Sequence, residues 1–358
     1  MKNKKILLFN DTDGDYHFGC SATSQALKYC LGIANNEYTH KVTDWNRNPF
    51  PYYEKDFDDD DFFAQWSKNN DDIIKQIQLS DICVFTCEGT LHGYDERPGT
   101  RNLLYMMYIC KTRYNKKTFV INHSCYPVYN IQDVNKENLA CAIYKKVLEK
   151  IDKCIVRERA SLAILNKLGI NAKIAFDCLP LYIKLLYQET IPTEKSNKNY
   201  TLISGGSTLH KSFYKFIKNL WKNYKINGDV YFLASCMPEI NADDKHCIEE
   251  IQKFNKKFKT KLLRRKIKIL YTKSTNELLS VIKRGKLFVS GRFHHSIAAA
   301  IFQTPYVCLD ANTPKTDALK MISKPNELWK LSLENFEEIL GKDKFEELKN
   351  KIEVNNGK

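Results

Sequence analysis

The sequence predicts an α/β protein made of two Rossmann-like, doubly wound domains that face one another across a cleft. Three observations lead to this prediction. The chain has 358 residues, which suggests about two domains. Short apolar strands alternate with helical segments in both halves. Between the halves lies Thr190–Asn199, a polar segment with a proline and no periodicity, which is typical of a linker.

The first half alternates regularly. The predicted strands are Lys4–Asn10, Asp81–Thr86, Thr118–Asn122, Lys153–Arg157 and Lys173–Phe176, and the predicted helices are Ala22–Leu31, Leu103–Tyr114, Asn138–Lys150 and Ala160–Leu168. Apolar strands this short, separated by helices, indicate a parallel sheet that is covered on both faces. The segment Phe50–Trp66, with four consecutive aspartates, is predicted to be an inserted surface loop.

The same alternation returns after the linker. The predicted strands there are Tyr200–Ser204, Val230–Ala234, Ile267–Tyr271, Leu287–Ser290 and Tyr306–Leu309. The tail from Leu331 to Ile352 has the pattern of an amphipathic helix. We therefore expect an N-terminal domain at 1–188, a linker at 189–199, a C-terminal donor domain at 200–330 and a helical tail at 331–358.

Composition limits the class of protein. Hydrophobic residues at 43% and charged residues at 27% are typical of a soluble globular chain. Near the start, the apolar run Ile6–Phe9 is too short for a signal peptide, and no apolar stretch approaches a membrane span. We expect a cytoplasmic protein. The twelve cysteines include no C-x-x-C pair, so they are interpreted as reduced core residues, and no metal site is expected.

The net charge of +14 points to an anionic partner. Much of it lies in Lys256–Lys268, which is either a solvated surface or a site that docks on an anionic membrane at the inner face. Nucleic acid is not expected, because aromatic residues are not interleaved with the basic ones and no known nucleic-acid motif occurs.

Polar clusters follow the predicted strands, where ligands bind in doubly wound sheets. They are His17–Cys20 in the first loop, Cys87–Gly93, His123-Ser124, Arg157–Arg159, Gly205–Thr208 and Gly291–His295. Gly205-Gly206-Ser207-Thr208 opens a helix, so its N–H groups could hold an anion, although helix capping explains the motif equally well. It matches neither the P-loop nor the dinucleotide-binding pattern.

Four of these segments carry a resemblance. The run from His17 to Thr23 resembles the H-[FW]-G-C-x-[AG]-T loop of polysaccharide pyruvyl transferases, and Glu88–His92 is similar to their E-G-T-[LI]-H. The segment Val156–Gly169 resembles their R-[DE]-x-x-S-x-x-x-L-x-x-x-G element. Ser290–His294, with Thr304-Pro305, is similar to their S-G-R-[LF]-H and G-T-P elements. His295 and Gln303 stand where that family most often has glycine.

The resemblance implies a GT-B-like fold and a transferase in the biosynthesis of bacterial surface glycans such as capsule, exopolysaccharide or lipopolysaccharide. It would move the enolpyruvyl carbons of phosphoenolpyruvate, its donor substrate, onto two sugar hydroxyls as a ketal, with no further cofactor. The family pattern assigns Arg292 and Arg157 to the donor's anionic groups and His294 to acid/base work. Expected to support or contact substrate are His17, Glu88, His92, Gly205, Ser207, Ser290 and His295. A free or lipid-linked glycan is the expected acceptor.

Two other functions remain open at this point. One is a GT-B glycosyltransferase that uses a nucleotide-activated sugar, such as a CMP-linked sialic-acid-like donor. The other is a non-catalytic protein that docks on a surface through its basic segment. For the loop itself, the alternative interpretation pairs Arg292 with a carboxylate such as Asp310 and makes His294 a helix cap.

Overall fold

A computed structural model describes residues 4–14, 17–33, 39–41, 48–94, 98–128, 131–190, 200–206, 213–223, 228–234, 242–257, 266–309 and 314–354. The chain divides into two compact units. Unit 1 comprises residues 1–12, 24–178 and 329–358, and unit 2 comprises residues 13–23 and 179–328.

Unit 1 contains a parallel six-stranded sheet in the order β2-β1-β3-β4-β5-β6. Its strands are β1 (Ile6–Asp11), β2 (Thr39–Lys41), β3 (Ile82–Glu88), β4 (Lys117–His123), β5 (Lys153–Val156) and β6 (Ala172–Ile174). Every residue of β3 is buried, which explains the apolar run from Ile82 to Phe85 with which the strand begins. In the core, the rings of Phe9 and Phe85 on the neighbouring strands β1 and β3 stack 4.4 Å apart.

The helices of unit 1 lie between these strands and at the C-terminal end. They are α2 (Asp60–Asn69), α3 (Asp71–Leu79), α4 (Pro98–Thr112), α5 (Val134–Leu148) and α6 (Arg159–Lys167), followed much later by α12 (Leu328–Leu333), α13 (Glu337–Leu340) and α14 (Lys342–Val354). Another helix, α1 (Phe18–Leu31), starts in unit 2 and continues into unit 1. The predicted tail helix is thus three helices, and Gly341, with φ of 77°, separates the last two.

The prediction of a surface loop at Phe50–Trp66 is wrong. Residues 54–57 form a 3₁₀ turn and α2 follows, while Phe57 and Trp66 are buried in the core of unit 1. The aspartates belong to the helix start: the side chain of Asp59 accepts a hydrogen bond from the Phe62 N–H, and Asp60 and Asp61 occupy the first turn. The acidic run therefore marks a capped helix and not a solvated loop.

The tail belongs to unit 1 because Asn335 supplies hydrogen bonds that the sheet region needs. Its Oδ1 accepts the Asn122 N–H at 3.0 Å and its Nδ2 donates to the Phe176 carbonyl at 2.9 Å. The Ser332 hydroxyl also donates to the Asp177 carbonyl at 2.6 Å. The contacts thus group residues 329–358 with the first half of the chain, whereas the sequence predicted a separate tail.

Unit 2 contains a five-stranded parallel sheet in the order β11-β10-β7-β8-β9. Its strands are β7 (Tyr200–Ser204), β8 (Asp229–Leu233), β9 (Ile267–Leu270), β10 (Leu287–Ser290) and β11 (Tyr306–Cys308), and its helices are α7 (Leu179–Leu185), α8 (Phe213–Asn223), α9 (Ala242–Lys257), α10 (Thr275–Arg284) and α11 (Phe293–Ile301). A 3₁₀ helix follows at Pro314–Met321. Residues 13–23, predicted within the first domain, pack with this unit.

Replacing Asn335 by alanine should lower the free energy of unfolding by about 2–4 kcal/mol, because a buried N–H and a buried carbonyl each lose a partner. Thermal and urea unfolding would measure the loss. Glu334→Ala, at an exposed neighbouring position, is the matched control and should change stability little. Equal stability of the two variants would contradict the role given to Asn335.

Candidate active site

In unit 2, the loops after β7 and β10 meet at one edge of the sheet. The strands are neighbours in register, with Ser204 opposite Ser290. The two hydroxyls lie 2.7 Å apart, and the Ser290 hydroxyl accepts the Arg292 N–H at 2.9 Å. Ser290, only 1% exposed, therefore fixes the backbone from which Arg292 projects.

His295 contacts the same pair of serine hydroxyls through Ser204. Its Nδ1 lies 3.3 Å from the Ser204 hydroxyl, and the residue is 4% exposed. Burial holds its pKa well below the usual value, and the positive charge of Arg292 adds to the effect. The ring is therefore neutral, and its contacts in unit 2 are those of a packing residue of the loop.

Glycines permit the two loops to touch. A Cβ on Gly206 would lie 3.0 Å from the Cα and carbonyl oxygen of Gly291, which is tighter than most real Cβ contacts. A Cβ on Gly205 would lie 3.2 Å from Asp244 Oδ1. Gly205 is thus buried beside α9. Ser207, the other predicted residue of this loop, lies outside the described residues.

Arg292 forms an ion pair that the sequence did not reveal. Its Nη2 donates to Asp244 Oδ1 at 2.9 Å, with the side chains 14% and 0% exposed, respectively. Asp244 lies on α9, outside every motif noted in the sequence. Asp310, the partner considered in the alternative interpretation, lies outside the described residues.

Three further side chains, those of His17, His294 and Lys315, lie close to Arg292 in unit 2. The pKa of His17 is lowered to about 3, first by burial and then by electrostatic interactions with Arg292, His294 and Lys315. His17 is therefore neutral at physiological pH. No motif in the sequence singled out Lys315, which lies in the 3₁₀ helix after β11.

Gly19 holds the His17 loop against His294. A Cβ at Gly19 would lie 2.4 Å from both Cβ and Nδ1 of His294, so only glycine fits there. The first turn of α1 therefore packs directly on the imidazole. Arg292 is the N-cap residue of α11 and His294 lies in the first turn of that helix.

In unit 1, three strand ends at one edge of the sheet adopt left-handed backbone conformations without glycine. Asn10, Glu88 and Asn122 have φ of 63°, 41° and 49°, at the ends of the adjacent strands β1, β3 and β4. Such strain persists only where the surroundings enforce it. Glu88 is 4% exposed, and its Oε1 accepts a hydrogen bond from the Thr12 hydroxyl at 3.1 Å.

Arg157, at the end of β5, is 2% exposed and already paired. Its Nη1 donates to Asp177 at 2.8 Å and its Nε donates to the Ser124 hydroxyl at 3.0 Å. The adjacent Glu158 accepts hydrogen bonds from Ser124 and Tyr126. Burial raises the pKa of Glu158, and the charge of Arg157 opposes that shift. This is a buried ion network within unit 1, and the prediction that Arg157 binds the donor stays a prediction.

His92 is half-buried and forms an isolated bridge with Tyr126. Among the residues that the structure describes, no group of three or more His, Cys, Asp or Glu side chains could hold a metal ion. Within the same residues, no helix is both long enough and apolar enough to cross a membrane.

The sequence profile of the family described as polysaccharide pyruvyl transferase matches residues 29–313, well over half of the chain. The chain belongs to the polysaccharide pyruvyl transferase family. It is therefore a transferase. No curated protein sequence matches it significantly.

Solved structures similar to this family member show its fold. Sucrose-phosphate synthase from Thermosynechococcus elongatus is 12% identical with a TM-score of 0.53, covering 93% of this chain and 94% of its own. A trehalose-6-phosphate synthase is 12% identical with a TM-score of 0.52, and the match covers 98% of this chain and 99% of that protein. UDP-N-acetylglucosamine 2-epimerase from Rickettsia bellii is 13% identical with a TM-score of 0.50, and the match covers 98% of this chain and 95% of that protein. The predicted GT-B fold is confirmed, while the arrangement of the domains about a cleft stays a prediction.

Gly19→Ala should cost this pyruvyl transferase family member at least about tenfold in kcat/KM, because the methyl group displaces His294. Helix propensity alone would favour alanine by about 1 kcal/mol, so a loss reports the clash. Steady-state kinetics and a melting curve would measure both effects. Gly89→Ala, whose Cβ would meet only Arg157 Nη2 at 3.9 Å, controls for the effect of the substitution on stability. Full activity of Gly19→Ala would show that the position of His294 is unimportant.

His123, fully buried at the end of β4, should make unit 1 acid-sensitive. Its pKa is lowered to about 3, chiefly by burial. Between pH 6.5 and 3 the unfolded chain binds a proton that the folded chain does not. The free energy of unfolding therefore decreases as the pH is lowered, by up to about 1.4 kcal/mol per pH unit.

Urea unfolding at pH 7, 6 and 5 would show a shallower pH dependence for His123→Phe than for the wild type. Cys154→Ala is the control, because it removes a side chain 3.6 Å from the ring while the pKa of that thiol, raised to about 12, keeps it out of this range. An unchanged slope in His123→Phe would contradict the assignment.

Proposed function

We propose that the chain transfers the enolpyruvyl carbons of phosphoenolpyruvate to two hydroxyls of a sugar, producing a cyclic pyruvate ketal and inorganic phosphate. Membership of the family supports this reaction class. The observation that carries the proposal is the cluster of Arg292, His294, His17 and Lys315 within unit 2.

The cluster suits a donor with several negative charges. Phosphoenolpyruvate carries a carboxylate and a phosphate, and a guanidinium such as that of Arg292 binds either with paired N–H groups. Lys315 adds a second permanent positive charge. Arginine has no acceptor atom and cannot cap the first N–H groups of α11, whose N-terminal end also favours an anion.

The reaction needs two proton movements. One sugar hydroxyl proton must end on the methylene carbon, which becomes a methyl group, and the other leaves with the phosphate. We assign His294 to proton transfer because it stands two residues from Arg292. His17 starts neutral and can accept a proton only once its pKa rises. A bound anion would raise it by offsetting the charges of Arg292 and Lys315.

A sugar of a bacterial surface glycan, free or attached to a lipid carrier, is the proposed acceptor. Glu88 and His92, at the carboxyl edge of the unit 1 sheet, are the proposed acceptor contacts. The basic segment Lys256–Lys268 would bring the enzyme to an anionic membrane surface. Residues 258–265 of that segment lie outside the described residues.

Purified protein offered phosphoenolpyruvate should melt at a higher temperature, whereas a CMP-linked sugar should have no such effect, because only a bound ligand stabilises the fold by mass action. Phosphate release with an acceptor then measures turnover. Stabilisation by the CMP-sugar alone would instead favour a glycosyltransferase.

Arg292→Lys should lose most activity while remaining folded, since lysine keeps the charge without the planar fork.

His294→Ala should lower turnover by roughly 10²- to 10⁴-fold, the usual contribution of an acid or base. His295→Ala should chiefly alter donor affinity and the melting temperature. Wild-type turnover in Arg292→Lys would refute the donor assignment, and equally small effects at both histidines would refute the proton-transfer role.

A further inference from the structure

We infer that Asp244 is a positioning residue for the reaction, which it supports by holding the Arg292 guanidinium in one orientation. This inference rests on the proposed function, because it takes Arg292 as the group that binds the donor. Asp244 is a residue of α9 and lies 48 positions before Arg292 in sequence.

The contact has the geometry of a structural clamp. Asp244 Oδ1 and Arg292 Nη2 are 2.9 Å apart, and the carboxylate side is fully buried while the arginine retains 14% exposure. A buried carboxylate is stable only when it is paired. The exposure difference places the aspartate behind the arginine and leaves the arginine as the member of the pair that solvent reaches.

Neighbouring glycines make the clamp possible. A Cβ at Gly205 would meet Asp244 Oδ1 at 3.2 Å and Cys247 Sγ at 3.3 Å, so a larger residue would require these two side chains on α9 to shift. The contact of Gly206 with Gly291 brings the β10 loop to the same place. These three glycines therefore allow a helix side chain to reach an arginine on another loop.

An orienting contact matters because a guanidinium is planar. Its paired N–H groups bind a carboxylate or phosphate bidentately only when the plane faces the anion. Arginine side chains have several rotatable bonds, and the Asp244 contact removes that freedom before the donor arrives. Removing the Asp244 side chain should therefore reduce donor binding only when Arg292 is present.

A double-mutant cycle tests this dependence. Asp244→Ala should lower kcat/KM for phosphoenolpyruvate by about 10- to 100-fold in the wild-type background and by less than about threefold in the Arg292→Ala background. Asp244→Asn, which keeps an oxygen for the Nη2 hydrogen bond, should lose less than Asp244→Ala. Ile251→Val, a conservative core substitution on α9, is the control and should keep near-wild-type kcat/KM.

Affinity for inorganic phosphate, measured by calorimetry on the same four proteins of the cycle, separates this inference from the proposed function. Coupling in phosphate affinity without turnover of phosphoenolpyruvate would refute the reaction and keep the clamp. Turnover with independent, additive losses at Asp244 and Arg292 would refute the clamp and keep the reaction. Absence of coupling in both measurements would overturn the positioning role.

Discussion

Parallel strands place the loops that follow them at one edge of a sheet, and the site of unit 2 depends on this constraint. Because β7 and β10 are neighbours in register, Ser204 lies beside Ser290, and their hydroxyls share a hydrogen bond of 2.7 Å. That pairing fixes the positions at which the loops beginning with Gly205 and Gly291 leave the sheet. The glycine loops then pack against each other, and Arg292 leaves the sheet from a backbone held by Ser290.

Two arginines at strand ends show how burial decides the use of a charge. Arg157 is 2% exposed, and its contacts with Asp177 and Ser124 make it part of the interior of unit 1. Arg292 is paired from behind by Asp244 and stays partly exposed among His17, His294 and Lys315. Each arginine is thus paired with a buried carboxylate, but Lys315 adds a positive charge in unit 2 that favours an anion there.

The strands were predictable because buried parallel strands are short, apolar runs, and the loop motifs after them pointed to His17, Arg292 and His294. The helix α2 was not, since its capping aspartates have the composition of a surface loop. Asp244 and Lys315 lie on segments without any local pattern, and only tertiary contacts bring them to Arg292 and His17. Gln303 stands in place of a glycine and has φ of 55°, a conformation that glycine adopts without strain.

The chain passes from one unit to the other four times, after residues 12, 23, 178 and 328. Asn335 is therefore synthesised only after the whole of unit 2, and its hydrogen bonds to the Asn122 N–H and the Phe176 carbonyl cannot form earlier. During translation, unit 1 holds an incomplete core while unit 2 is being made. Expression of residues 1–188 alone would consequently give a species with exposed apolar surface, prone to aggregation and to capture by chaperones.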